Sequence, residues 1–319
     1  MRQHGLSLIE LLVAVTIGAI LIFGATQVYV DSRNTYEINE TAARLQETAR
    51  YALSVIEPDI RMSNYWGLVK GAGVIEGSAS QDEASAGAPT DCGTNFAHDL
   101  LLNLEGHNNT YGLACTPTAA VSGAVASADV LIVRRAAVAT AAAGTGRLQV
   151  CSTRMNGELV TDSTSCTTSP EGQINDLIVN AYYVSRDSSA GPPALRRKTL
   201  VAGPAFNDVE IIPGVEDLQV QFGVDPSGVN GVAQRYVDPD DVAEGEQIVA
   251  VRLWLLVRAE NPEVGFTDDR VYAYADRSGS TTTDDLNDAA AAGRPYAPND
   301  NFRRLLVSRT IQIRNALGT

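Results

Sequence analysis

Gly5-Leu6-Ser7-Leu8-Ile9-Glu10-Leu11-Leu12-Val13-Ala14 opens the run on which the reading of this chain turns. From Leu11 to Val30 no residue is charged and most are apolar. Twenty such residues, rising 1.5 Å each as a helix, cross a hydrocarbon layer of about 30 Å. Arg2 precedes the run and places the N-terminus on the cytoplasmic side. Glu10 does not suit an ordinary signal peptide, because a carboxylate at membrane depth is costly without a partner. A small-x-small cleavage site is also hard to place: Ala14, Ala19 and Ala25 are scattered through the span, and no polar region follows a compact apolar core. The apolar helix is therefore expected to be retained, with Glu10 matched to a group from elsewhere.

The helical pattern continues beyond the span. Ile38, Ala42, Leu45, Ala49, Ala52 and Ile56 recur at steps of four and three, a stripe on one helical face whose role is packing. Glu37, Glu40, Arg44, Glu47 and Arg50 fill the other faces. Pro58 is the first proline and the expected stop, so residues 6–57 form one helix of about 78 Å.

The segment around Gly5 resembles the class III signal of type IV prepilins: a short basic leader ending in Gly, an apolar residue, and Glu at the fifth position after the Gly. Gly5, Leu6 and Glu10 occupy those places. The resemblance implies cleavage between Gly5 and Leu6 by a prepilin peptidase and N-methylation of Leu6. Phe is the commoner first residue. Many pilins also carry a proline in the first half of this helix, where the present chain has only Gly18 and Gly24. After cleavage, Glu10 of one chain can meet the Leu6 ammonium of the next in a staggered bundle. Each charge then removes the other's desolvation cost, and the pair specifies axial register more than it adds stability. The opposing reading is an uncleaved anchor with a snorkelling Glu10.

Beyond residue 66 the texture is Gly-, Ala-, Ser- and Thr-rich to about residue 128, and loop with short strands is expected there. Strands follow over 128–135, 146–151, 176–184, 194–200, 248–257 and 302–315, with alternating Val220, Phe222 and Val224 within 210–225. The 176–184 and 194–200 strands pair as a hairpin across Gly191-Pro192-Pro193. One helix followed by strands gives an α+β fold, a long helix packed on an antiparallel sheet with large loop insertions. Gly214-Val215-Glu216-Asp217-Leu218-Gln219-Val220, the strand Val251–Arg258 and the ending Arg303…Ile313-Arg314-Asn315 are similar to the PilW family of minor pilins. J-type minor pseudopilins of type II secretion share this plan. The resemblance covers residues 5–66 and about 175–315. It implies a low-abundance subunit that primes pilus assembly and sits at the tip. Its partners would be other minor pilins, the major pilin and a tip adhesin. The expected organisation is a leader (1–5), a transmembrane helix (6–30), its amphipathic continuation (31–57) and a β-rich body (58–319). The chain would cross the inner membrane once with its body in the periplasm, then pass into the pilus at the cell surface.

Four cysteines, Cys92, Cys115, Cys151 and Cys166, form no C-x-x-C pair, so zinc spacing is absent. An even number in an exported chain reads as two disulfides. Of three pairings, the sequential one, Cys92–Cys115 with Cys151–Cys166, is preferred. A net charge of −14 repels phosphate backbones and argues against nucleic acid. No nucleophile elbow or P-loop is present, and Gly71-Ala72-Gly73-Val74-Ile75-Glu76 has Glu76 where a dinucleotide loop needs its third glycine. His98 and His107 read as loop histidines. No catalytic site assembles, no cofactor is implied, and enzymatic activity is not expected. Asp238, Asp240 and Asp241 offer oxygens for calcium outside EF-hand spacing, as do Asp284, Asp285 and Asp288, with solvated loop charge as the default. Arg196-Arg197-Lys198 and Arg303-Arg304 read as solvent-exposed or edge-strand charges. A membrane-anchored binding or enzymatic ectodomain is the rival reading of the whole.

Overall fold

Ser7 starts the long helix. Its hydroxyl accepts the Glu10 backbone N–H at 3.2 Å, and the Glu10 carboxylate accepts the Ser7 N–H at 3.3 Å, so both partners of a capping box are in place. Helix α1 then runs without a break over Leu8–Arg61, 54 residues and about 81 Å. The structure is a computed structural model and describes residues 7–78, 89–118, 122–161, 172–203 and 205–316.

The expected stop at Pro58 is corrected, because α1 passes through it and ends at Arg61. A proline so near the end removes one hydrogen bond, to the Ser54 carbonyl, and Ser54 is exposed, where water can replace it. The last turn still closes, with the Pro58 carbonyl accepting the Met62 N–H at 3.1 Å. The predicted stripe is buried only in part. Leu45, Ala49, Ala52, Ile56 and Ile60 are covered, whereas Ile38 and Ala42 stay exposed.

Two sheets pack around this helix, in place of the single one expected. The larger holds β1 (Ile75–Glu76), β2 (Leu104–His107), β3 (Val130–Thr140), β4 (Gln149–Ser152), β5 (Gly157–Val160), β6 (Gln173–Ser185), β7 (Ala194–Val201) and β8 (Ala205–Pro213). Its path is β1-β5-β4-β6-β3-β2, and all pairs are antiparallel except β1 with β5. One edge of β6 pairs with β3. The other is shared, residues 173–176 by β4 and 180–185 by β7, which continues to β8. The smaller sheet is antiparallel, in the order β10 (Arg235–Val237), β9 (Val215–Asp225), β11 (Gln247–Arg258), β12 (Arg304–Gln312). The predicted β6–β7 hairpin is present.

The run 210–225 divides between the sheets at Gly214, whose φ of +91° lies where glycine is favoured. Its N–H donates to the Pro193 carbonyl and its carbonyl accepts the Arg258 N–H, both at 2.7 Å, so the corner is hydrogen-bonded to a strand of each sheet or its flank. The α1 stripe shares one core with Val220, Phe222, Val251, Leu253 and Leu255 of the smaller sheet. A second core gathers Trp66, Leu100, Val150, Leu177 and Val179 under the larger sheet.

Candidate functional site

The site is the N-terminal helix together with the joint that fixes it to the body. Along its first half the apolar side chains are left bare by the described body: Leu8 is 82% exposed, Ile20 70% and Phe23 72%. Among the described residues α1 is the one helix long and apolar enough to cross a membrane. Apolar surface of this extent has to be covered by lipid or by other helices. Glu10 lies on this bare stretch, engaged among the described residues only with Ser7 through the cap. No cation of the described chain is paired with it.

The joint lies at the opposite end. Asp59 is buried in the last turns of α1, and both its carboxylate oxygens are in use. Arg135 of β3 donates Nε and Nη2 to Oδ1 at 3.1 and 2.6 Å. Asn180 and Tyr182 of β6 donate to Oδ2 at 2.5 and 2.6 Å. Burial, and then the Asp59 charge, hold the Tyr182 hydroxyl far above the ordinary tyrosine range, so it serves as a donor at every relevant pH. The helix end also meets the last residues described: the Arg314 N–H donates to the Arg61 carbonyl at 3.1 Å, and Asn64 Nδ2 to the Asn315 carbonyl at 2.9 Å. Asp59 had no sequence signal beyond its place after Pro58, because its partners are 76 to 123 residues away.

Residues 1–26 match the prokaryotic N-terminal methylation motif, and residues 181–315 match the type IV pilus-assembly protein W family. Together these matches mark a type IV pilin-like minor pilin whose C-terminal part is similar to the PilW family. A solved type IV-like pilin from Thermus thermophilus matches with a TM-score of 0.33 and 14% identity, over 86% of this chain and 97% of that one. No curated protein matches. For this pilin the motif means processing by a prepilin peptidase and assembly with other pilins, and the bare apolar helix suits a membrane-anchored subunit.

Several residues singled out by sequence now have a place. Gly5 and Leu6, the cleavage and methylation positions, lie outside the described residues. Cys92 and Cys115 are joined, as preferred. Cys151 is also disulfide-bonded, and Cys166, its expected partner, lies outside the described residues. Among the described residues no three His, Cys, Asp or Glu side chains gather as a metal shell. Asp240 and Asp241 are exposed, and Asp238 accepts Gln221 Nε2 at 2.9 Å. Asp284, Asp285 and Asp288 likewise belong to no such group.

The expected exposure of the basic groups is corrected. Arg196 and Lys198 are buried on β7, an interior strand, and both reach Asp208 of β8, at 2.9 and 3.1 Å. Arg304 is buried and forks onto Glu216 at 2.5 and 3.0 Å and onto Asp300 at 2.6 and 2.7 Å. His98, read as a loop histidine, is 1% exposed under its loop, and neither ring nitrogen has a hydrogen-bond partner among the described residues. Arg196, Lys198 and Arg304 are therefore internal cement of the pilin body.

Proposed function

We propose that this minor pilin is a non-enzymatic structural subunit that primes assembly of a type IV pilus and occupies its tip or a place near it. The observation that carries the reading is the unpartnered first half of α1 with Glu10 on it, joined to a large body through a buried carboxylate. In this reading the peptidase cuts between Gly5 and Leu6, Leu6 is methylated, and the new ammonium of a neighbouring subunit meets Glu10 in the bundle. The body stays in the periplasm until the subunit enters the pilus with the other minor pilins, the major pilin and a tip adhesin. The matched family is described by pilus assembly, which favours a pilus over a secretion machine. The broad insertions around 90–118 and 259–303 favour a position with one free side, since a repeating subunit has to fit identical neighbours above and below.

The first measurement is the mass of the N-terminal peptide from the native membrane fraction. Processing gives a peptide beginning at Leu6 with one added methyl; an intact Met1 sinks the reading. The second is Glu10→Leu. The variant should remain membrane-bound and folded yet be lost from sheared pili, because the neighbour's ammonium is left buried without a counter-charge. Normal incorporation of Glu10→Leu would leave α1 as an anchor only.

A further inference from the structure

Where α1 leaves the body, a groove of about 1150 Å³ opens between residues 34–51 of the helix and the loop 259–266. It exceeds the range of about 300–1,000 Å³ usual for small-molecule pockets. Along the helix it extends about 26 Å, nearly five turns. Its apolar floor includes Ile38, Leu45, Ile212 and Pro213. Ile38 is the part of the packing stripe that the body leaves uncovered. Val264, at the lip, is 100% exposed. An elongated groove with an apolar floor and one helical wall is shaped for a helix.

Charge narrows the occupant. Five carboxylates line the groove against three guanidinium groups. The guanidiniums are already engaged: Arg44 with Glu40 at 2.8 Å, Arg303 with Glu263, and Arg258 with Glu216 at 3.5 Å. Glu37 faces Arg33 at 3.0 Å. Glu47 and Glu260 have no ion pair among the described residues, although Arg44 lies within range of both charges. The vacant walls are thus acidic. A second copy is a poor fit, because the equivalent stretch of its own helix carries Asp31, Glu37, Glu40 and Glu47 against Arg33, Arg44 and Arg50, and the whole chain carries −14. Like charges facing each other in a partly desolvated groove repel, and such contacts exclude the wrong partner.

We infer that this groove seats the helix of a different pilin subunit, one with a net positive charge in the stretch just beyond its apolar segment, and that it rejects a second copy of this chain. The inference rests on the pilin reading and sharpens it: the subunit would be confined to single, heterotypic positions by the charge of its own groove.

The test places a benzophenone side chain at Val264 in the full-length protein, cross-linked in native membranes, with the adducts mapped by peptide mass. The expected product joins Val264 to the helix of another chain bearing a processed prepilin N-terminus, within a stretch of net positive charge. Glu47→Lys combined with Glu260→Lys should reduce that adduct about tenfold, equivalent to roughly 1.4 kcal/mol. An adduct to a second copy, an adduct insensitive to the double charge reversal, or no protein adduct overturns the inference. The N-terminal peptide from the same sample separates the two failures. A methylated Leu6 without the heterotypic adduct removes only the groove's role; an unprocessed Met1 removes the pilin reading beneath it.

Discussion

Two long insertions interrupt the sheets, and they are held down by different chemistry. The first, around residues 90–118, is closed by Cys92–Cys115 and fastened to β3 by one guanidinium: Arg134 donates to the Phe96 and Leu102 carbonyls at 2.8 and 2.6 Å and pairs with Glu105 at 2.8 Å. The second, residues 259–303 between β11 and β12, has no cysteine. It is pinned by two adjacent carboxylates of β9. Glu216 takes Arg304 and the Tyr296 hydroxyl; Asp217 takes Arg277 at 2.7 Å and the Tyr274 hydroxyl at 2.5 Å. Burial alone would lower the Arg277 pKa, but the Asp217 charge and then Tyr274 outweigh it and hold the guanidinium above its ordinary range. A covalent clip limits the unfolded chain, whereas buried ion pairs act in the folded state and penalise any loss of one partner.

The largest effect should come from unpairing the second insertion. Arg304→Ala leaves Glu216 and Asp268 buried without their shared cation, with an expected loss of about 3–5 kcal/mol in denaturant unfolding of the detergent-solubilised chain. A loss below 1 kcal/mol would mean that the network is dispensable. Next, replacing Cys92 and Cys115 together by Ser should destabilise by about 3 kcal/mol in the chain-entropy model for a closed loop of this length. Limited proteolysis should then cut within 90–118 and spare 259–303. If both insertions are cut equally, they are not independent units.

The smallest effect is titration. Burial, aided by Arg134 and opposed by Asp99, keeps the His98 pKa below its ordinary value. The unfolded chain then binds a proton before the folded one does, so stability should fall as pH drops below about 6.5. His98→Phe should flatten that slope, and an unchanged slope would assign the acid sensitivity to other groups.

What could be read in advance follows the range of the signal. The helix, the Cys92–Cys115 bridge and most strands are written in patterns of a few residues, and they were legible. Arg304 was not, because its partner Glu216 is 88 positions away and a basic pair at a strand start looks the same exposed or buried. Arg196 and Lys198 failed in the same way: their period-2 spacing fitted one face of a strand, but only the neighbouring β8 with Asp208 makes that face internal. The change of sheet at Gly214 was also hidden, since Pro213-Gly214 reads as a turn without saying what lies beyond it. For the candidate site, the N-terminal half was visible from charge and hydropathy alone. The Asp59 joint needed two strands and a helix to be brought together first.

The packing of α1 also fixes an order of events. Leu45 to Ile60 leave the ribosome early, yet they share a core with strands of the smaller sheet and with Ile311 and Ile313 at the far end of the chain. At about 5–20 residues per second, some ten to fifty seconds separate the synthesis of the two. Through that interval the stripe has only part of its partners within its own chain, among them Leu131 and Tyr182, so the nascent subunit depends on the membrane or on a holding factor to cover the rest, and the core can close only when its final strand has arrived.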